Sequence, residues 1–143
     1  MPKFRFIPEI AIADVAFEAE GKDINDLFEQ CAMATEESMV STKKVKPKTS
    51  KTIKLEADAL DRLLIDWLNE VIYYKDAEGL LFSEFKVAVK KIGIIWKLTA
   101  TAKGEKRDPK KHELRADVKA ATWHMFELKQ EKGKWKARIV EDI

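Results

Sequence analysis

The densest apolar periodicity in the chain lies between Asp58 and Gly79, DALDRLLIDWLNEVIYYKDAEG. Leu60, Leu63, Leu64, Trp67, Leu68, Val71 and Ile72 recur at intervals of three and four, which places them on one stripe of an α-helix. Asp58 is positioned to cap the open N-terminus, Asp61 adds favourable charge in the first turn, and Gly79 supplies a left-handed stop. Arg62, Asp66, Asn69 and Glu70 fall on the opposite face, toward water or a partner. Each large apolar side chain that is buried contributes about 1.5–3 kcal/mol. No other segment gathers so many in one stripe, so this is the predicted core helix. Asp66, which interrupts LLIDWL, is a candidate for a partner surface.

The remaining patterns are mostly of period two. Lys3–Ile7 reads as a short strand ended by Pro8. Ile12–Glu20 alternates, with Ala13, Val15, Phe17 and Ala19 on one side, and Gly21 closes it. Asp23 then caps a helix whose apolar face carries Ile24, Leu27, Phe28, Cys31 and Ala34. Its last turn, Thr35-Glu36-Glu37-Ser38, is polar and is expected to be exposed apart from Met39. A strand at about Lys51–Glu56 has Ile53 and Leu55 inward. Beyond the core helix, Leu81, Phe85, Val87 and Val89 share one strand face, Ile92-Gly93 turns, and Trp96, Leu98, Ala100 and Ala102 return. Gly104–His112, GEKRDPKKH, reads as an exposed loop. In the last hairpin Ala120, Thr122, His124 and Phe126 face one way, Gly133 turns, and Trp135, Ala137 and Ile139 alternate.

Two main helices with hairpin-linked strands predict an α+β fold, the helices packed on a mostly antiparallel β-sheet. The 143 residues suit a single domain over 1–143. No run approaches the 18 or so apolar residues of a membrane span, and MPKFRFIPEI has no signal-peptide core, so no membrane partner and a cytoplasmic location are expected. The lone Cys31 excludes an internal disulfide and a cysteine-based zinc cage.

Charge is high but balanced, 27 basic against 25 acidic residues, which gives no net-charge argument for nucleic acid. Local bias exists in two stretches: Lys43, Lys44, Lys46, Lys48, Lys51 and Lys54, and Lys103, Lys106, Arg107, Lys110, Lys111 and Arg115. Each reads either as a solvated loop or edge kept soluble by lysine or as an RNA-gripping segment.

No phosphate-binding glycine loop, G-x-S-x-G, H-E-x-x-H or paired C-x-x-C is present. Oxygen donors remain: Asp14 on an early strand, Asp142 near the chain end, and the carbonyl and carboxylate of Ile143. Such donors suit a hard cation, although spacing alone does not pair residues 14 and 142. His112 ends the basic loop, and His124 is read as a residue on the apolar face of its strand. A hydrolase built on Asp14 and His124 has no local spacing to support it.

Several stretches in register resemble the archease family. They are Ala13-Asp14-Val15-Ala16 with Gly21, Leu64–Glu70, Glu78-Gly79-Leu80-Leu81-Phe82, Gly104-Glu105 through His112-Glu113, Val118–His124, and the penultimate Asp142. Together they cover essentially the whole chain. Many archeases read His-Thr-Ala-Asp at the first motif; here Ala11-Ile12-Ala13-Asp14 keeps only the alanine and the aspartate.

The resemblance implies a fold related to strand–helix–strand–strand modules and a divalent cation, calcium foremost with magnesium or manganese as alternatives. The ligands would correspond to Asp14, Asp142 and the carbonyl of Ile143. It further implies a protein cofactor, not an enzyme, with no catalytic residues of its own. Its partner would be an RtcB-type RNA ligase of tRNA splicing, whose guanylylation and multiple turnover it promotes. Contact with tRNA would be indirect or through the basic segments. The alternative is a stand-alone RNA-binding or chaperone-like module using residues 43–54 and 103–111.

Overall fold

The computed structural model describes residues 3–8 and 14–143. In chain order the elements are β1 (Phe4–Phe6), β2 (Val15–Gly21), α1 (Ile24–Met39), a 3-10 turn (Thr42–Lys44), β3 (Thr49–Ala57), α2 (Leu60–Glu78), β4 (Leu80–Ile92), β5 (Ile95–Lys106), β6 (Ala120–Glu131) and β7 (Lys134–Asp142). The α+β class holds, and the strands divide between two antiparallel sheets, ordered β1-β2-β7-β6 and β3-β5-β4. The expected start of the second strand at Ile12 and Ala13 lies outside the described residues.

The core joins both helices to both sheets. Leu63, Leu64, Trp67, Leu68 and Val71 of α2 are buried with Leu27, Phe28 and Cys31 of α1, Phe17 of β2 and Ile139 of β7. Trp67 closes its polar end by donating Nε1–H to the Phe28 carbonyl at 3.1 Å. Ile65 is buried as well, so the apolar face of α2 is broader than the predicted stripe. The helix stops where expected, with Gly79 at φ 64 in the left-handed region that costs a glycine little.

Helix α1 also guards a sheet edge. Asp23 caps it by accepting from the Asp26 N–H, as predicted. Along its length Glu29 and Asn25 accept the Val87 and Val89 N–H groups of β4, each at 2.8 Å. Strand β4 is an outer strand of its sheet, so these bonds occupy donors that would otherwise be free to pair with another chain.

Several expectations are corrected. The N-cap of α2 is Ala59, with no side-chain cap bond, and Asp58 does not take that role. The polar last turn of α1 is not exposed: Thr35 and Glu36 are wholly buried and Ser38 nearly so. The hairpin turn between β4 and β5 is Gly93-Ile94, because Ile92 already pairs with Ile95. Strand β5 runs on through Lys106, which buries Gly104 and Glu105 instead of opening a loop there. A Cβ on Gly104 would overlap the Leu81 carbonyl oxygen, which explains glycine where β4 shifts register between Phe82 and Glu84.

Candidate functional site

Strand pairing brings Val15–Gly21 against Trp135–Glu141. The β2–β7 ladder runs from Gly21 opposite Trp135 to Val15 opposite Glu141. Asp14 precedes the first residue of that ladder in β2, and Asp142 follows its last residue in β7. This register is what spacing could not supply.

The ladder end is fixed by buried chemistry behind it. Successive strand residues face opposite ways, and here Glu141 points inward, fully buried, while Asp142 is exposed. Thr35 donates its hydroxyl to Glu141 Oε2 at 2.7 Å, and Ser38 donates to Oε1 at 3.2 Å. The polar last turn of α1 is therefore a clasp on the residue before Asp142. Burial pushes the Glu141 carboxyl up to about 7, with the two hydroxyls acting against the shift. Glu36 is also fully buried, and neither of its carboxylate oxygens has a hydrogen-bond partner. Burial, with Glu141 nearby, raises its pKa well above the ordinary carboxylate value.

A second set of clasps comes from α2. Asn69, expected on the solvent face, instead accepts the Ala121 N–H at 2.8 Å and donates to the Ala121 carbonyl at 3.4 Å. Lys75 is 6% exposed and donates to Asp117 and to the Val118 carbonyl, both at 2.7 Å. Burial opposes its charge, yet Asp117 and Asp76 outweigh burial and hold the ammonium above its usual pKa. The segment so pinned then meets the site: the Lys119 N–H donates to the Asp142 carbonyl at 2.8 Å.

Carboxylate and carbonyl oxygens such as those of Asp14, Asp142 and Ile143 are the donor type that a hard cation takes. Neither the Asp14 nor the Asp142 carboxylate makes a hydrogen bond or ion pair among the described residues. The Asp142 carbonyl is already taken by Lys119, so the next main-chain oxygen is that of Ile143, whose residue is 45% exposed. Among the described residues no group of three or more His, Cys, Asp or Glu side chains is placed to hold a metal, so water would complete the coordination. Asp14 also lines an open groove of about 720 Å³ with Phe6, Glu37, Ser38 and Arg115. Arg115 is already committed there, bonding the Glu37 carbonyl and the Glu113 carboxylate.

Neither histidine nor the cysteine is placed at this site. His112 is buried, accepts the Asp108 N–H on Nδ1 at 2.9 Å, and lies 2.9 Å from Glu105 through Nε2. With Nδ1 accepting, Nε2 carries the proton and donates. Burial opposes ionisation of Glu105, but Lys111, the Lys46 N–H and His112 prevail and hold it down at about 2. This buried knot corrects the two ends of the expected GEKRDPKKH loop, Gly104-Glu105 and His112; residues 106–110 between them are exposed, as expected.

His124 is exposed, not on a core face. Strand β6 carries extra residues between Thr122, opposite Val140, and Glu127, opposite Arg138, and the alternation breaks there. Among the described residues no hydrogen bond or ion pair joins His124 to Asp14. Cys31 is buried, and burial together with Glu141 pushes its thiol pKa far up.

With this geometry in place, the sequence profile of the archease protein family matches residues 4–143. The chain belongs to the archease family. It is 38% identical over 132 residues to the archease of Pyrococcus abyssi, covering 92% of this chain and 93% of that one. The archease of Sulfurisphaera tokodaii is 36% identical over the full length of both. The solution structure of a Methanobacterium thermoautotrophicum protein superimposes over both whole chains with a TM-score of 0.88 at 37% identity. A Thermotoga maritima archease, described as a possible chaperone, shares the fold with a TM-score of 0.62 at 19% identity, covering 93% of each chain. Among the described residues no helix of this family member is long and apolar enough to cross a membrane.

Proposed function

We propose that this family member is a cytoplasmic protein cofactor, not itself an enzyme, that activates an RtcB-type RNA ligase in tRNA splicing. It promotes guanylylation of the ligase and so permits repeated turnover. A divalent cation, calcium foremost with magnesium or manganese as alternatives, is held by Asp14, Asp142 and the carbonyl of Ile143. The observation that supports this reading is the β2–β7 register, which ends at Val15 opposite Glu141, one residue short of Asp14 on one strand and of Asp142 on the other, with Asp14 lining an open groove.

When bound, the cation supplies positive charge at an otherwise acidic edge. The chain's own residues do the positioning. Glu141, gripped by Thr35 and Ser38, turns Asp142 outward. Lys119 fixes the Asp142 main chain. The engagement of His112 with Glu105 and the burial of Cys31 favour an activator over a catalyst, since neither side chain is presented to a substrate.

The test is a reconstituted reaction: an RtcB-type ligase, GTP, manganese and cleaved tRNA halves, with and without this protein. The reading predicts many ligations per ligase only when the protein is present, and greater labelling of the ligase by GTP even without RNA. Equal labelling and turnover in both arms would overturn it.

A further inference from the structure

The solvent face of the β3-β5-β4 sheet is built in cross-strand rows that strand register defines. Glu56, Lys97 and Lys90 form one row; Lys54, Thr99 and Ala88 the next. Thr52, Thr101 and Lys86 follow, and Ser50, Lys103 and Glu84 complete the face. Except for the half-buried Thr101, every one of these residues is exposed. The face therefore presents lysines and hydroxyls, with acid only at its two ends and one alanine at its centre.

This arrangement is costly if water is its only partner. Lys90 and Lys97 are direct cross-strand neighbours, and like charges so placed destabilise a sheet. Lys97 reaches Glu56 at 3.7 Å, but Lys54, Lys86, Lys90 and Lys103 have no ion pair among the described residues. Lysines that blunt a sheet edge explain β3 and β4 alone. Lys97 and Lys103 stand on β5, the central strand, where there is no edge to protect. A groove of about 380 Å³ opens on the same face beside Lys86, Thr101 and Lys103, where β4 shifts register.

We infer that this face binds the phosphodiester backbone of a single-stranded nucleic acid, with Lys54, Lys86, Lys90, Lys97 and Lys103 contacting phosphates. Strand geometry makes the lysine field about 20 Å long and about 10 Å wide, room for a few consecutive nucleotides. Ammonium and hydroxyl groups donate to phosphate oxygens, as at many positioning contacts. None of the residues in the four rows is aromatic, and Phe85 at the groove is half-buried and packed on the core, so the face offers no open platform on which bases stack, and binding is blind to sequence.

The surface differs from the two basic stretches of the sequence. Only Lys54 of the first and Lys103 of the second lie on it. Lys48 and Lys111 are instead engaged with Glu105. The inference stands apart from the ion site and from the ligase, and its test contains neither.

The test is fluorescence anisotropy of labelled oligouridylate and oligoadenylate with the full chain, at salt from about 50 to 200 mM. The triple variant Lys86→Ser, Lys90→Ser, Lys103→Ser removes exposed charge from the face. A matched variant, Lys43→Ser, Lys110→Ser, Lys132→Ser, removes the same exposed charge elsewhere. The matched variant should melt as the wild type does, and the face variant no lower, since it removes the Lys90–Lys97 repulsion. The face variant should bind about tenfold more weakly, with a salt slope shallower by about 0.7 per lysine lost, while the matched variant changes little and both oligonucleotides bind alike. Equal losses in the two variants, an unchanged face variant, or polyglutamate competing as well as RNA would each overturn the inference, the last by pointing to an acidic protein.

Discussion

Asn69 holds Ala121 by both sides of its backbone, accepting its N–H at 2.8 Å and donating to its carbonyl at 3.4 Å. This pair couples the core helix to the candidate ion site. The next links are the pairing of β6 with β7, Ala121 opposite Glu141 and Ala120 opposite Asp142. Rigid packing of α2 thus becomes a fixed position for a carboxylate on the far strand.

Asn69→Leu keeps the volume but leaves the Ala121 peptide without its partner. Loss of a buried bonding partner costs about 1–3 kcal/mol. The expected result is a lower urea midpoint with unchanged slope, together with weaker ligase activation. Unaltered stability would mean that the β6–β7 ladder alone holds this segment.

Leu68 and Asp66 make a paired test of the helix orientation. Leu68 is wholly buried, so Leu68→Ala should cost about 2–5 kcal/mol in chemical denaturation. Asp66 is exposed, so Asp66→Ala should leave the melting temperature unchanged. If Asp66 belongs to the ligase surface, activation falls in that variant alone.

How far the sequence speaks for itself differs between these elements. The stripe of α2 was legible because burial repeats with the helix period, and the hairpins because Gly93 and Lys132-Gly133 take positive φ at the turns. The end of α1 was not legible. Thr35, Glu36 and Ser38 are polar, and polarity ordinarily signals exposure, but here the partner is Glu141, over a hundred residues away. The exposure of His124 was not legible because the irregular stretch of β6 between Thr122 and Glu127 breaks the alternation that the sequence pattern implies. For the ion site, the family resemblance named Asp14 and Asp142, while the pairing of their strands, which ends at Val15 opposite Glu141, came only from the β2–β7 register.

The buried acids predict an unusual pH dependence. Glu141 titrates at about 7 in the folded chain against an ordinary 4.5, and Glu36 is shifted in the same direction. Below about pH 4.5 both states are protonated and the shift costs nothing. As pH rises toward 7 the unfolded carboxyl ionises freely while the folded one resists, so stability is lost across that window. For Glu141 alone the loss is about 3 kcal/mol. Thermal melts should therefore fall in midpoint from pH 4.5 to 7. Glu36→Leu should raise the midpoint at pH 7 and flatten the curve, since it removes an unpartnered buried carboxyl. A wild-type midpoint that rises over the same window would contradict this account of the pair.

If Asp14 and Asp142 hold one divalent cation, calorimetric titration with calcium and with manganese will register one ion per wild-type chain, and a hundredfold excess over the dissociation constant will add about 2.7 kcal/mol to stability. Asp14→Asn and Asp142→Asn should each abolish the binding heat and the gain, while deletion of Ile143 weakens both. Titration curves for the two asparagine variants that match the wild type, with equal stabilisation by the ion, would contradict this assignment.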